Sequence, residues 1–216
     1  DKHLPGEHEL AAQADAQEAQ QHLESGDVHA ALERLGGALA ANPGNDDIRF
    51  DYVKLLIGAG QLGDAAAALA PGLAQIPVPL RFEALSQWLN AMEFAATDAR
   101  GAWTLEQFDE KIAENRRDFE TRFAKSRVLM AHGNWTGAMD ELLEIIMRDK
   151  QWNEAAPRKT FVAILELLTP PRPKAGDAAP GKTAGGIELA GKSAVQEDPQ
   201  AALVSAYRRK LSMMLN

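Results

Sequence analysis

Small and apolar residues recur along the first third of the chain at a spacing of 34 positions. The first set comprises Gly26, Ala31, Leu35, Leu39 and Pro43, and the second comprises Gly60, Ala65, Leu69, Leu73 and Pro77. Within each set the apolar residues lie four positions apart, which places them on one face of an α-helix. No segment alternates convincingly between apolar and polar residues, so the pattern predicts helices and no sheet.

The residue types in each set suit particular places in a pair of helices. Gly26 and Gly60 are expected in the turn between the two helices, because glycine adopts a positive φ at little cost. The alanine early in the second helix is small enough for two helices to approach closely. Pro43 and Pro77 are expected to end the second helix, since proline lacks the amide hydrogen that would continue it. Each set therefore predicts a helix, a glycine turn and a second helix.

A third copy of the pattern lies 73 positions after the second, which is two periods and five further residues. Its members are Phe123, Met130, Gly133, Ala138, Leu142 and Ile146, which match Phe50, Ile57, Gly60, Ala65, Leu69 and Leu73. Asn134 is expected to cap the second helix of this copy. The five extra residues predict a degenerate helical repeat at 80–118 that carries a short insertion.

A period of 34 residues is that of the tetratricopeptide (TPR) repeat, a helix–turn–helix unit that stacks into a solenoid. The predicted fold class is therefore all-α, a TPR-like helical-hairpin solenoid with a C-terminal capping helix. Asp198 and Pro199 are expected to open that last helix. The predicted segments are a linker at 1–11, TPR-like repeats at 12–79, the degenerate repeat at 80–118, a TPR-like repeat and following helix at 119–169, a flexible loop at 170–197 and the C-terminal helix at 198–216.

Composition narrows the classes of function. The 216 residues carry a formal net charge of −8, which argues against a nucleic-acid partner because such proteins present a basic face. No apolar stretch reaches the ~18 residues of a transmembrane helix, so we expect no membrane partner. The chain has no cysteine, which excludes a disulfide scaffold and a thiol nucleophile within these residues. Because it begins at Asp1 rather than at methionine, we expect a piece of a longer protein.

One motif has the spacing of a nucleotide-binding loop but lacks the surroundings that such a loop needs. Gly176, Gly181, Lys182 and Thr183 fit the P-loop pattern, whose chemistry requires a preceding strand and a following helix. The flanking segments are rich in proline, glycine and alanine and predict neither element. We therefore interpret the match as accidental and expect no enzymatic activity.

Other side chains that could carry chemistry are better explained by structural roles. No histidine stands at a metal-ligand spacing; the five are His3, His8, His22, His29 and His132. The acidic residues at 109–120 alternate with lysine and arginine, which is typical of a solvated helix face. The tryptophans at positions 88, 103, 135 and 152 are expected to pack in the core, and Trp103 is the one that could be partly exposed. No metal and no cofactor is predicted.

The first helix of each repeat is the main candidate for binding, because it lines the concave side of a TPR array. Equivalent positions of the second and third copies hold Phe50 and Phe123, Lys54 and Arg127, and Ile57 and Met130. Together they predict a client-binding groove that is apolar with basic points and suits an extended or unfolded segment of some acidic character. The alternative is that the Phe, Ile and Met side chains pack between repeats.

Two sequence runs, MRDKQWNEAAPRKTF at 147–161 and YRRKL at 207–211, are distinctive. With them the chain resembles the C-terminal TPR-like region of thioredoxin–TPR fusion proteins, the chaperedoxins or YbbN-type co-chaperones. The resemblance covers about 12–169 and 198–216. The segment 170–197 departs from it, because it is longer than the family's usual connection.

The resemblance implies a non-enzymatic module of a cytoplasmic, bacterial co-chaperone. Such a holdase binds unfolded or misfolded client proteins and passes them to a chaperonin or another folding chaperone. A thioredoxin-like domain is implied upstream in the full-length chain, and docking to the chaperonin is implied for the C-terminal helix. The matching residues of that helix are Tyr207, Arg208, Arg209, Leu211 and Met214.

Two other functions stay open. A TPR adaptor would recognise a defined peptide of one partner protein. Adaptors of that class often clamp a terminal carboxylate with Lys and Asn at the fifth and ninth positions of the first repeat, where this chain has Ala16 and Gln20. An enzyme that hydrolyses nucleoside triphosphates would require a genuine P-loop at 176–183.

Overall fold

The computed structural model of the chain describes residues 7–170 and 198–215, which form ten α-helices and no strand. The helices are α1 (Glu7–Glu24), α2 (Val28–Ala41), α3 (Asp46–Gly58), α4 (Leu62–Leu73), α5 (Leu80–Thr97), α6 (Leu105–Glu114), α7 (Phe119–Ala131), α8 (Trp135–Arg148), α9 (Trp152–Leu168) and α10 (Pro199–Leu215). A short 3-10 helix, Ala99–Ala102, connects α5 to α6. The predicted all-α fold class is confirmed. Because α1 begins at Glu7, residues 7–11 are helical rather than part of a linker.

Three glycine turns set the helical hairpins. Gly26, Gly60 and Gly133 have φ values of 82°, 75° and 73°, so each adopts the left-handed conformation that glycine tolerates. Each turn closes with the same two backbone bonds, illustrated by Gly60 N–H to Ile57 O (3.0 Å) and Gln61 N–H to Leu56 O (2.9 Å). This is the Schellman arrangement, which satisfies the last carbonyls of the first helix. The predicted role of the repeated glycine is confirmed.

The residue after the turn glycine opens the second helix in two of the three hairpins. The Asp27 side chain accepts a hydrogen bond from Ala30 N–H at 3.0 Å, and the Asn134 side chain accepts one from Gly137 N–H at 3.0 Å. Each bond satisfies one of the free amides at a helix N-terminus. The prediction that Asn134 is an N-cap is confirmed.

The two repeated prolines play different roles. Helix α2 ends at Ala41, two residues before Pro43, as expected. Helix α4 ends at Leu73, well before Pro77, so the expectation that Pro77 ends this helix is wrong. Pro71 already removes one backbone bond in the last turn, and the final bond of the ladder, from Ala74 N–H to Ala70 O at 3.1 Å, comes three residues before Pro77.

The helices stack in order through the first two hairpins, and the order then changes at α5. Helices α2 to α5 each pack on the preceding helix, but α5 also packs against α3, α7 and α9. Helix α6 packs on α7, where its buried Phe108 and Ile112 join Phe94 of α5. The degenerate repeat predicted at 80–118 is therefore one long helix with a short companion. The five extra residues of the sequence pattern fall in this region.

The first turn of α9 departs from right-handed geometry. Asn153, Glu154 and Ala155 have φ values of 47°, 53° and 59°, a conformation that costs residues with a Cβ about 1–2 kcal/mol each. Trp152 precedes this turn, and its ring meets Phe119 and Phe123 at centroid distances of 6.1 and 5.6 Å. The left-handed turn thus accompanies an aromatic cluster that anchors the start of α9 to α7.

Helix α10 covers one flank of the described stack. It packs on α8 and α9 through Val204, Tyr207 and Leu211, whose side chains are all buried. The Asp198 side chain accepts a hydrogen bond from Gln200 N–H at 3.0 Å, which agrees with the predicted helix start. Within the helices described here, none is long and apolar enough to cross a membrane.

The turn geometry makes opposite effects predictable for two glycine substitutions. Gly133→Ala should lower the free energy of unfolding by about 1–2 kcal/mol, because alanine resists a positive φ. Gly37→Ala should raise it by about 0.5–1 kcal/mol, since Gly37 lies within α2 and an added Cβ would meet no atom within 4 Å. Urea unfolding of both variants checks this. Unchanged stability of Gly133→Ala would contradict the role assigned to the turn.

Candidate functional site

The structure separates the six predicted groove residues into a buried pair and four surface or half-buried residues. Ile57 and Met130 are 0% exposed and belong to the core beside Ala65 and Ala138. Their assignment to the client-binding groove is therefore wrong, and the alternative of packing between repeats is correct for them. The reason is that they lie on the face of α3 and α7 that meets the following helix.

The other four predicted residues do not share one groove. Phe50 and Phe123 are half-buried, and Lys54 is exposed on α3. Lys54 lines a first cavity and Arg127 lines a second one, together with Phe123. Helix α5 contributes walls to both cavities. The predicted single groove is thus replaced by two sites that both involve α5.

The first of these, the Trp88 cavity, has a volume of about 550 Å³. It is lined by Lys54, Trp88, Trp135, Leu167, Leu168, Pro199, Gln200 and Leu203. The rings of Trp88 and Trp135 meet edge to face, with centroids 5.5 Å apart. Trp88 Nε1 is buried and has no hydrogen-bond partner among the described residues. A ligand that brings an apolar group would suit this site.

Sequence reasoning assigned Trp88 and Trp135 to the core and missed their place in a cavity wall. The two residues are half-buried and come from α5 and α8, which are remote in sequence. Leu203 of α10 completes the wall from a third direction. Only spacing within one helix is visible in the sequence, so no local signal could have brought these three residues together.

The second site, the Arg127 cavity, has a volume of about 480 Å³. Its lining residues are Gln87, Asn90, Glu93, Phe94, Thr97, Phe123, Arg127, Ala156 and Thr160. The Arg127 guanidinium carbon lies 3.7 Å from the ring centroid of Phe94 and 5.0 Å from that of Phe123. Thr160 donates a hydrogen bond to Gln87 Oε1 at 3.0 Å, which joins α9 to α5 at the cavity floor. The site is mixed in polarity and contains one stacked cation.

The electrostatics near this cavity are set by two guanidinium groups. Arg100 binds Asp98 through Nε–Oδ1 and Nη2–Oδ2 contacts of 3.0 Å each. Those side-chain bonds, with the Arg100 amide, lower the pKa of Asp98 to about 2. Burial lowers the pKa of Arg127, and the charge of nearby Arg100 lowers it further. Asp98 is therefore engaged by Arg100, and Arg127 has no such partner.

A polar network rather than an acid–base site occupies the face of α6, α7 and α8. Lys125 Nζ lies 2.5 Å from Asp109 Oδ1 and 2.6 Å from Glu141 Oε1. Burial disfavours its charge, but the hydrogen bonds to the two carboxylates outweigh burial and raise the pKa of Lys125. Arg122 Nη1 completes the network at 2.6 Å from Glu141 Oε2. Its function is to hold the three helices together.

The predicted docking helix exposes fewer of its predicted docking residues to solvent than expected. Tyr207 and Leu211 are 6% and 8% exposed, and half-buried Met214 packs on the same core. Their assignment to chaperonin docking is corrected, because they attach α10 to α8 and α9. Arg208 and Arg209 are exposed, although Arg208 also donates a hydrogen bond to Thr169 Oγ1 at 3.0 Å.

Nucleotide binding and metal binding were the two other kinds of site considered from the sequence. The P-loop match at 176–183 lies outside the described residues. In the part of the chain that the structure describes, His, Asp and Glu side chains form no group of three or more that could hold a metal ion.

The stability that the packing of α10 contributes should depend on the protonation of Tyr207. Burial, aided by a 3.1 Å hydrogen bond to Asp140, raises the pKa of Tyr207 to about 12. The unfolded chain loses this proton near pH ~10, so the stabilisation is complete below that pH and is lost as pH rises toward about 12. We expect wild type to lose stability over this range relative to Tyr207→Phe. Urea unfolding at several pH values measures the difference, and parallel pH profiles would contradict the assignment.

Comparison with known protein families agrees with this architecture. Two models described as "Tetratricopeptide repeat" match the chain, one over residues 22–89 and the other over residues 98–178. No curated protein matches it. The first match covers the hairpins at Gly26 and Gly60, and the second covers the hairpin at Gly133. By its hairpins, its helix order and these two matches, the chain is an all-α, TPR-like repeat solenoid, a type of protein–protein interaction module.

Proposed function

We propose that this chain is the non-enzymatic, polypeptide-binding part of a co-chaperone, a holdase that binds unfolded or misfolded clients. The observation that carries the proposal is the pair of cavities beside α5, of which the first has mostly apolar walls, the second is mixed in polarity, and each contains one basic side chain. Both volumes, about 550 and 480 Å³, are in the range of sites that accept a few side chains. Non-native segments expose apolar side chains of this size.

The two cavities suit weak and tolerant binding. Leucine and tryptophan side chains dominate the Trp88 cavity, and such walls contact many apolar groups without demanding one shape. Each buried methylene contributes about 0.8 kcal/mol, so two or three inserted side chains supply moderate affinity. A holdase requires this combination, because it must release its clients.

Transfer of clients to a chaperonin is the second part of the proposal. It is supported by the YRRKL run, which resembles the docking helix of the YbbN-type co-chaperones, and by the exposure of Arg208 and Arg209. Met213, with 67% of its surface exposed, lies on the same helix. We further propose a cytoplasmic protein with a thioredoxin-like domain upstream, because the same resemblance implies both.

One observation favours the second candidate, a TPR adaptor for a defined peptide. The stacked Arg127 without an ion-pair partner offers one directional contact, which a tolerant holdase does not need. The usual clamp at the fifth and ninth positions of the first repeat is absent, since Ala16 and Gln20 of α1 stand there. An adaptor role would therefore use the Arg127 cavity instead.

Client binding predicts that an apolar wall residue controls holdase activity. Leu203→Gln places an amide in the Trp88 cavity and should raise the concentration needed to suppress aggregation about fivefold. Leu105→Gln is the matched control, because this exposed leucine on α6 lines neither cavity. Light scattering of several unrelated, chemically denatured proteins measures the effect. The adaptor function is favoured if one short peptide binds tightly and no denatured client is held.

Docking predicts a separate effect of the exposed basic residues of α10. The double variant Arg208→Ser and Arg209→Ser should weaken chaperonin binding about tenfold or more while client binding persists. Arg116→Ser with Arg117→Ser, an exposed pair before α7, is the charge-matched control. Co-sedimentation with purified chaperonin measures the binding. Deletion of 198–216 is unsuitable, since it would remove buried Tyr207 and Leu211; unchanged binding by the α10 variant contradicts the docking assignment.

A further inference from the structure

The Arg127 cavity contains a cation that makes no ion pair with the described residues and has one buried, unpartnered N–H group. Within residues 7–170 and 198–215, no carboxylate forms an ion pair with Arg127, and its buried Nε has no hydrogen-bond partner. Other arginines of the same region are paired: Arg100 with Asp98, and Arg122 with Glu141. A guanidinium has five N–H donors, and leaving a charged group partly desolvated without acceptors is costly.

Aromatic stacking holds the Arg127 side chain in a fixed orientation. Its guanidinium carbon is 3.7 Å from the Phe94 centroid, which is close contact, and Phe123 flanks it at 5.0 Å. Phe123 is itself held by Trp152 at 5.6 Å. Because Nε is buried, a carboxylate would meet the end of the guanidinium formed by its two Nη groups, which can bind it through two parallel bonds.

The two guanidinium groups near the cavity, those of Arg127 and Arg100, also favour an added anion. Arg100 also lies beside Phe94, the ring on which Arg127 stacks. Its guanidinium carbon is 5.3 Å from the Phe94 ring centroid. Burial and the charge of Arg100 both lower the pKa of Arg127, so both oppose its charged form. The negative charges of Asp98 and Glu120 act in the opposite direction, but they offset this effect only in part. An incoming carboxylate would supply the missing counter-charge.

We infer that the Arg127 cavity binds the carboxylate of a single Asp or Glu side chain within an extended polypeptide segment. This inference rests on the proposed function, and it states which feature of a bound polypeptide one of the two cavities recognises. The rings of Phe94 and Phe123 would contact apolar neighbours of the acidic residue. Asn90 and Thr97 offer polar groups to the backbone of the segment.

The shape of the cavity favours the interior of a segment over its end. The lining residues of α5 run from Gln87 to Thr97, a distance of about 15 Å along the helix. An extended segment covers that length with four or five residues. Arg127 lies opposite this wall, on α7, so a segment that follows α5 passes it part-way along.

Glu93 limits the preference to one acidic residue. Glu93 lines the same cavity, is exposed, and makes no ion pair with Arg127. A second acidic side chain next to the first would meet this negative charge and be repelled. The site should therefore distinguish an isolated Asp or Glu in apolar surroundings from a highly acidic run.

The inference is tested with matched peptides and the full 216-residue chain. The probe is a seven-residue peptide, capped at both ends, with one glutamate between two phenylalanines. Its glutamine counterpart should bind about tenfold more weakly, because it lacks the charge that Arg127 pairs. A third peptide has glutamine at the centre and a free C-terminal carboxylate. Fluorescence anisotropy measures all three affinities.

Variants test whether Arg127 causes the preference for the glutamate peptide over the glutamine peptide. Arg127→Gln should bind the glutamate and glutamine peptides equally, and Arg127→Lys should keep only about a twofold preference, since lysine lacks the planar fork. Arg116→Gln removes the same charge from an exposed site outside both cavities and should keep the tenfold ratio. Circular dichroism and urea unfolding establish that the variants fold. If Arg127→Gln does not, the peptide ratios of wild type and Arg127→Lys decide.

Each result separates this inference from the proposed function. Equal binding of the two capped peptides by wild type, or no binding of either, overturns the inference even where denatured clients are still held. The inference is also overturned if the glutamine peptide with a free C-terminus binds as tightly as the glutamate peptide. The site would then recognise the carboxylate at the end of a chain. Failure to hold any denatured client, with the tenfold preference intact, overturns only the holdase function.

Discussion

Close contact between helices at an alanine, next to a left-handed glycine, is the constraint on which the rest of the structure depends. Ala31, Ala65 and Ala138 are each 0% exposed, and each follows its turn glycine by five residues. The glycine sets the angle at which the chain returns, and the alanine lets the second helix pack against its neighbours. Larger residues at these positions would separate the helices and open the core.

Helix α5 converts this regular stack into two sites. A regular repeat would leave the first helices side by side and the concave face continuous. Instead α5 packs between α3 and α7 and also meets α9, while its companion α6 packs on α7. Phe82, Ala84 and Leu85 anchor α5 with no exposed surface. Cavities therefore remain on both sides of α5, where neighbouring helices do not fill the space.

The equivalent residues Lys54 and Arg127 show how one repeat position acquires two chemistries. Lys54 is exposed and lies 5.9 Å from the Phe50 ring centroid, so water solvates its charge. Arg127 is stacked between two phenylalanine rings, and its Nε is buried. The difference arises from Phe94, which α5 brings to α7 and for which α3 has no counterpart at Lys54. A flat guanidinium tolerates such stacking better than an ammonium group.

Periodic apolar spacing determined the hairpins, because helix formation and glycine turns are local. Residues within one or two helical turns of each other determine the turns at Gly26, Gly60 and Gly133 and the cap at Asn134. Only the tertiary structure decided which side chains stay accessible. Ile57 and Met130 lie one helical turn from Lys54 and Arg127 yet are fully buried, and Tyr207 of the predicted docking helix is buried against α8 and α9. Exposure depends on packing by α5, α9 and α10, which are distant in sequence, and a repeat pattern carries no information about such contacts.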